Sequence, residues 1–176
     1  MASSRNSIDP LPVKLLRTVI LFLLALAAGA SVGLGADAPK FGLAADNKIF
    51  AQALVTKIMA ANPDLVTAGM HAVPPGGDKT QIVASTLNVI GKPSDPEDVQ
   101  VIAGDMTNIF PHPKLPKLGV MLPLHDRAGK TIGALALAFN YRKGDDQVKC
   151  FAAATAIRDR VAQEIPALAD LFAPVP

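Results

Sequence analysis

The sequence predicts an α+β domain, a single antiparallel sheet with an N-terminal helix and a long C-terminal helix packed on it. Three observations carry that prediction. Apolar residues recur at helical spacing at both ends of the region 46–176. Between those ends lie two pairs of β-rich runs, and each pair is joined by a short turn rich in Gly or Pro. Hairpins flanked by helices, with no alternating β-α-β order, describe one antiparallel sheet covered by helices.

Asp46 is the expected cap of a helix from Asn47 to Ala61, which Asn62-Pro63 ends. Phe50, Leu54, Ile58 and Ala61 form its stripe, widened by Ile49 and Ala53, while Lys48, Gln52 and Lys57 fall mostly away from it. Leu65 to Val73 and Thr80 to Val89 flank the turn Pro74-Pro75-Gly76-Gly77-Asp78 and read as a first hairpin. Residues Ile90 to Val99 then form a loop entering a short helix, with Ser94 and Glu97 at capping-box spacing. From Gly104 to Lys117 the pattern is irregular. Pro111, Pro113 and Pro116 exclude a continuous helix or a central strand, so this is the expected longest loop, covering the second face of the sheet.

A second hairpin runs from Leu118 to His125 and from Thr131 to Tyr141. Its turn contains Gly129 at a position that needs positive φ. Both strands are apolar on both faces, which places them centrally in the sheet. Gly144-Asp145-Asp146 opens a helix from Gln147 to Ile165 whose apolar face is Phe151, Ala154, Ile157, Val161 and Ile165. Pro166 breaks it, and Leu168, Leu171 and Phe172 form a last packed turn.

Residues 1–36 are a different kind of chain. Lys14 and Arg17 precede an uncharged stretch from Thr18 to Ala36, densest between Val19 and Ala30. A basic flank, an apolar core and small residues after it make a secretory signal, with Ala28-Gly29-Ala30 or Gly33 to Ala36 as cleavage sites. Pro39 argues against cutting after Ala38. The alternative is an uncleaved anchor, since a spanning helix needs about 20 apolar residues. Either reading places the domain across the membrane, periplasmic or secreted, with Lys14 and Arg17 left on the cytoplasmic side. Residues 37–45 then read as a linker.

The 176-residue chain carries a net charge of +2, and that excess belongs to the leader. Beyond Ala30, fourteen Lys and Arg balance fourteen Asp and Glu. The expectation is therefore no basic patch and no nucleic-acid partner. Cys150 is the single cysteine, which excludes an internal disulfide and a cysteine-rich metal site, and it reads as a small packing residue.

Three features resemble the PAS-like sensor domains found outside bacterial membranes, of the single Cache type. Val89-Ile90-Gly91-Lys92-Pro93-Ser94-Asp95 resembles the turn after that family's second strand. Pro123, Leu124, Asp126, Gly129, Ile132 and Gly133 match the positions of its Pro–apolar–Asp…Gly…apolar–Gly hairpin. The third feature is the amphipathic helix before the first strand, and together they span Asn47 to Tyr141. The resemblance implies a sensory-type fold with a small-molecule pocket, and a membrane sensor or enzyme as partner. It implies no particular ligand, because no amino-acid-binding motif of the family maps onto this chain. The chain also departs from a typical sensor by closing on a helix and a Pro-rich tail, without an output module of its own.

Polar residues that interrupt apolar strands are the candidate ligand-binding groups. In the first hairpin these are His71, Gln81, Ser85 and Asn88, with Asn108 and His112 in the loop expected to cover them. Strict alternation puts Thr67, Gly69, His71 and Val73 on one face of the first strand. The same rule groups Gln81, Val83, Ser85 and Leu87 on one face of the second. No catalytic signature of the GxSxG, HExxH or phosphate-loop type occurs, so the reading is not an enzyme. A structural or accessory role is the alternative, and haem or metal bound through His71 or His112 is a further one. The three histidines, His71, His112 and His125, show no HxH or HxxxH spacing, so a metal site is not expected, and no cofactor is assigned.

Overall fold

A computed structural model describes residues 41–175; the leader, and residues 37–40 of the linker, lie outside them. Among the described residues the order is α1 (Phe50–Ala61), β1 (Leu65–Ala72), β2 (Gln81–Ser85), α2 (Pro96–Gly104), β3 (Asn108–Pro111), β4 (Lys117–His125), β5 (Thr131–Asn140) and α3 (Gln147–Glu164). Short 3-10 turns occupy Ala44–Asp46 and Leu168–Phe172. All five strands pair antiparallel in the order β2-β1-β5-β4-β3. The fold is α+β and PAS-like, and the second hairpin, β4 and β5, does lie inside the sheet.

Pleating sends alternate residues of each strand to opposite faces, and the two faces are built differently. Met70, Leu118, Val120, Leu122, Leu124, Leu135, Leu137 and Phe139 join Leu54, Val55 and Ile58 of α1 and Ala154, Ile157 and Val161 of α3 in one core. Among the described residues, helix packing covers the other face at one end only. There Val101 of the short α2 packs with Met121 and Ala134.

Several local expectations are corrected by how the chain packs. Asp46 is not the cap of α1. Ile49 holds that position without a side-chain bond, and the Phe50 N–H donates instead to the Ala173 carbonyl of the C-terminal tail at 2.8 Å. Helix α1 buries Ala51, Gln52, Leu54, Val55 and Ile58, while Ala53 and Ala61 are exposed. The cap before α2 is Asp95, and Asp98 Oδ2 accepts the Asp95 N–H at 3.1 Å, one residue later than the Ser94/Glu97 pair. Phe151 is 37% exposed, and Cys150 packs against the core beside Ala154 and Ile157. The segment read as a linker enters the fold, where Gly42 exchanges backbone hydrogen bonds with Ile90.

The longest expected loop, from Gly104 to Lys117, holds the strand β3, and the short helix expected before it is α2. Helix α2 covers part of the second face, and β3 extends the sheet at its edge. A four-residue edge strand tolerates Pro111 because its missing N–H faces no inner neighbour. Gly129 has φ +81°, as its turn requires. Gly133 lets β1 approach β5, since a Cβ there would lie 2.2 Å from the His71 carbonyl oxygen.

Candidate functional site

The partly covered face encloses a cavity of about 220 Å³. Its floor is made of small residues, Gly69 on β1, Gly119 on β4 and Ala136 and Ala138 on β5. Ile82, Leu87, Val89 and Phe110 wall it. The Phe110 ring lies across Gly119, where a Cβ would come within 2.3 Å of two ring carbons, so the glycine is what lets the aromatic wall stand there. Thr67, His71, Ser85, His112 and Lys117 supply the polar lining, and among the described residues no carboxylate does.

His71 is 6% exposed. Its Nδ1 lies 2.9 Å from Ser94 Oγ and 3.5 Å from Asp98 Oδ2 at the start of α2, which fixes the ring between sheet and helix. Burial pushes its pKa below the usual 6.5, against the opposing pull of Asp98 and Asp95. The ring is therefore neutral at pH 7. Among the described residues Nε2 has no protein hydrogen-bond partner, so it is the polar atom His71 can offer a ligand. His112 is held differently. Its Nδ1 accepts the N–H groups of Lys114 and Leu115 at 3.1 and 3.0 Å. A neutral ring so held carries its proton on Nε2, as a donor.

Ser85 is buried at 5% exposure, and its Oγ accepts the Leu87 N–H at 3.0 Å. Its backbone is clamped from the far side by Gln52. The Gln52 amide donates to the Ser85 carbonyl at 2.9 Å and accepts the Ser85 N–H at 3.0 Å. Asn47 Nδ2, from the segment leading into α1, donates to the Val83 carbonyl at 2.8 Å, so Asn47 and Gln52 together seal part of the outer edge of β2. Helical periodicity had set Gln52 apart from the buried stripe, and nothing local in the sequence marks this long-range pairing.

Of the six candidate ligand-binding residues, the structure brings His71, Ser85 and His112 to the cavity. Gln81, Asn88 and Asn108 lie elsewhere. Between Met70 and His71 the register slips, so His71 pairs with Ile82 and Gln81 with Ala72, whose side chain belongs to the main core. That bulge breaks the alternation expected along β2: Ile82 and Ser85 line the cavity, while Val83 and Ala84 between them both join the core. Asn88 Oδ1 accepts the Ala44 N–H at 3.1 Å, and Asn108 is exposed on the edge strand. Thr67 and Gly69 fall on the expected face. Phe110 and Lys117 were missed because the prolines around them hid β3 and the start of β4.

His125 stands apart, with Nε2 3.0 Å from Asp105 Oδ1, which also accepts the Thr131 hydroxyl at 2.8 Å. Those bonds hold the Asp105 carboxyl below its ordinary range. Among the described residues no group of three His, Cys, Asp or Glu side chains converges to hold a metal ion. Burial raises the Cys150 thiol, with Asp145 and Asp146 adding to the effect, so it stays protonated and weakly nucleophilic.

The sequence matches no family model. No curated protein resembles it at a significant level. Among solved structures it is similar to the C-terminal domain of the Escherichia coli transcriptional regulator KdgR, at 13% identity and a TM-score of 0.40, over 68% of this chain and 96% of that one.

Proposed function

We propose that this domain is a small-molecule-binding, sensory-type module of the PAS/Cache-like kind, working outside the cytoplasm. The observation that supports the reading best is the cavity on the second sheet face, with small residues below, apolar walls, and buried His71 anchored through one nitrogen with the other free. A volume of about 220 Å³ equals roughly seven waters of liquid and suits a ligand of a few heavy atoms, too small for a macrocycle such as haem. Donors from His112 and Lys117, with no carboxylate lining the cavity among the described residues, favour a ligand bearing an acceptor or negative group.

Native mass spectrometry of freshly purified protein, followed by thermal shift over a panel of small metabolites, tests the reading. The expected result is a retained small-molecule mass or a rise in midpoint, since a hundredfold excess over Kd stabilises by about 2.7 kcal/mol. Absence of both would leave a packed, accessory domain. Export rests on the leader, and N-terminal sequencing of periplasmic protein should find a start near Ser31 to Asp37. Full-length chain that resists carbonate washing of membranes would make the leader an anchor instead.

A further inference from the structure

A second depression adjoins the cavity at the open end of the β4–β5 hairpin, enclosing about 650 Å³ between the loop before β4 and the loop after β5. Lys117 pairs with Asn140 across the hairpin. Residues just before the one and just after the other therefore meet, although the whole hairpin separates them in sequence. Lys114 and Lys117 come from the first loop, Arg142 and Lys143 from the second. Charge counting had led to the expectation of no basic patch, and folding makes one.

Three further observations give the groove a ligand preference. None of the four cations has a salt-bridge partner among the described residues, whereas Lys57, Lys92 and Arg158 are each paired. Among the described residues no carboxylate lines the groove. The nearest acids are already engaged: Asp145 Oδ2 accepts the Arg142 N–H at 2.6 Å, and Asp146 Oδ1 accepts those of Val148 and Lys149 at 2.8 and 3.3 Å. Both line a separate depression beside Cys150. Neutral donors complete the set. The Tyr141 hydroxyl accepts from Gln147 Nε2 at 3.1 Å and keeps its own proton to give, and His112 presents Nε2–H. Four like charges gathered in one concave site favour an anion of more than one charge.

We infer that this groove binds a phosphate-type dianion, carried by a molecule whose apolar end enters the adjoining cavity. His112 and Lys117 line both spaces and form their common wall. The first half of the inference stands on the groove alone; the second rests on the cavity being a ligand site.

Calorimetric titration with inorganic phosphate and with hexyl phosphate, and flotation with phosphatidylcholine vesicles with and without phosphatidic acid, test both halves. Two variants separate them. The triple change Lys114→Gln, Arg142→Gln and Lys143→Gln alters the groove through exposed loop side chains, and Ala136→Leu fills the cavity. Circular dichroism and the thermal midpoint establish that each is folded. Wild type should bind phosphate with an affinity that falls as salt rises, and the triple variant should lose at least tenfold. Ala136→Leu should leave phosphate binding unchanged and abolish the additional affinity of hexyl phosphate. Recruitment by phosphatidic acid vesicles without binding of free phosphate would assign the dianion to a lipid headgroup and support the groove. Equal affinity of hexyl phosphate and phosphate in wild type would overturn the cavity half and leave the groove standing. No binding to either phosphate or acidic vesicles, or undiminished binding by the triple variant, would overturn the groove.

Discussion

The two faces of the sheet are written by alternate residues of the same strands, yet they do opposite things. On β4 and β5 the face toward α1 and α3 carries Leu118, Val120, Leu122, Leu124, Leu135, Leu137 and Phe139. The other face carries Gly119, Met121, Ala134, Ala136 and Ala138, interleaved with them. Both sets count as apolar, so a hydropathy pattern reads the strands as buried on both sides. Side-chain volume separates the faces. Large residues fill the space under two long helices, and small ones leave the space that the short α2 does not cover.

The comparison breaks most directly at one residue from each face. Leu122→Ala removes a fully buried side chain from the filled face and should cost about 2–5 kcal/mol, measured by urea denaturation. Ala136→Leu adds volume to the open face and should cost no more than about 1 kcal/mol, because the cavity receives it. Equal costs would mean that the second face is as tightly packed as the first.

Gly133 sharpens the contrast, because it is small for a different reason. Gly119 makes room for a side chain, and Gly133 makes room for a strand. With the His71 carbonyl oxygen 2.2 Å from where its Cβ would stand, Gly133→Leu should cost about 3 kcal/mol, the upper end of overpacking. A cost near that of Ala136→Leu would show that β1 and β5 can separate there.

What the sequence made legible follows the range of the interactions involved. The hairpin turn at Gly129, the central position of β4 and β5 and the helix ended by Pro166 depend on neighbours in the chain, and they were readable. The site was readable in part. His71 and Ser85 interrupt apolar runs and do line the cavity, and His112 joins them from its loop. Gln81 failed because a one-residue bulge between Met70 and His71 reverses the alternation of the partner strand. Gln52 failed because its partner is the backbone of Ser85, thirty-three positions away. The basic groove failed because charge was counted along the chain, while the hairpin sums it in space.

Gln52 tests how far the filled face depends on its sealed edge. Gln52→Ala leaves the buried Ser85 N–H and carbonyl without their partner, and should cost about 1–3 kcal/mol. Gln52→Glu should restore the acceptor and not the donor, recovering part of that loss. If both variants denature with the wild type, β2 finds other partners and the clamp is incidental.

His71 ties the open face to α2, and its state gives that face a pH dependence. Burial holds the folded pKa below 6.5, so the unfolded chain takes up a proton at a higher pH than the folded one. The contribution is fully present above about pH 6.5 and is lost as the pH falls through that value toward the folded pKa. Denaturation midpoints should therefore decline between pH 7.5 and 5.5, and His71→Gln should flatten the decline. The depressed carboxyl of Asp105 contributes stability that is lost only below its ordinary 3.8, outside this window. A wild-type profile no steeper than that of His71→Gln would remove the buried neutral imidazole from the account.

The smallest effect belongs to Arg127, which lies exposed in the β4–β5 turn. As a residue of an exposed turn it would contribute almost nothing. In the structure the turn docks on the end of α3: the Arg127 N–H donates to the Ile165 carbonyl at 2.8 Å, and its Nε donates to the Gln163 carbonyl at 2.9 Å. A cation at a helix C-terminus satisfies a carbonyl that has no partner within the helix and meets the negative end of its dipole. Arg127→Ala keeps the backbone bond and loses the other, for an expected cost of about 0.5–1 kcal/mol at the exposed position. Arg127→Lys keeps the charge and loses the planar donor, so it should fall between the two. The order Arg, Lys, Ala in denaturation midpoint would show the turn acting as the cap of α3. Three equal midpoints would return Arg127 to the status of a free surface charge, leaving the Ile165 bond alone to join the hairpin to the helix.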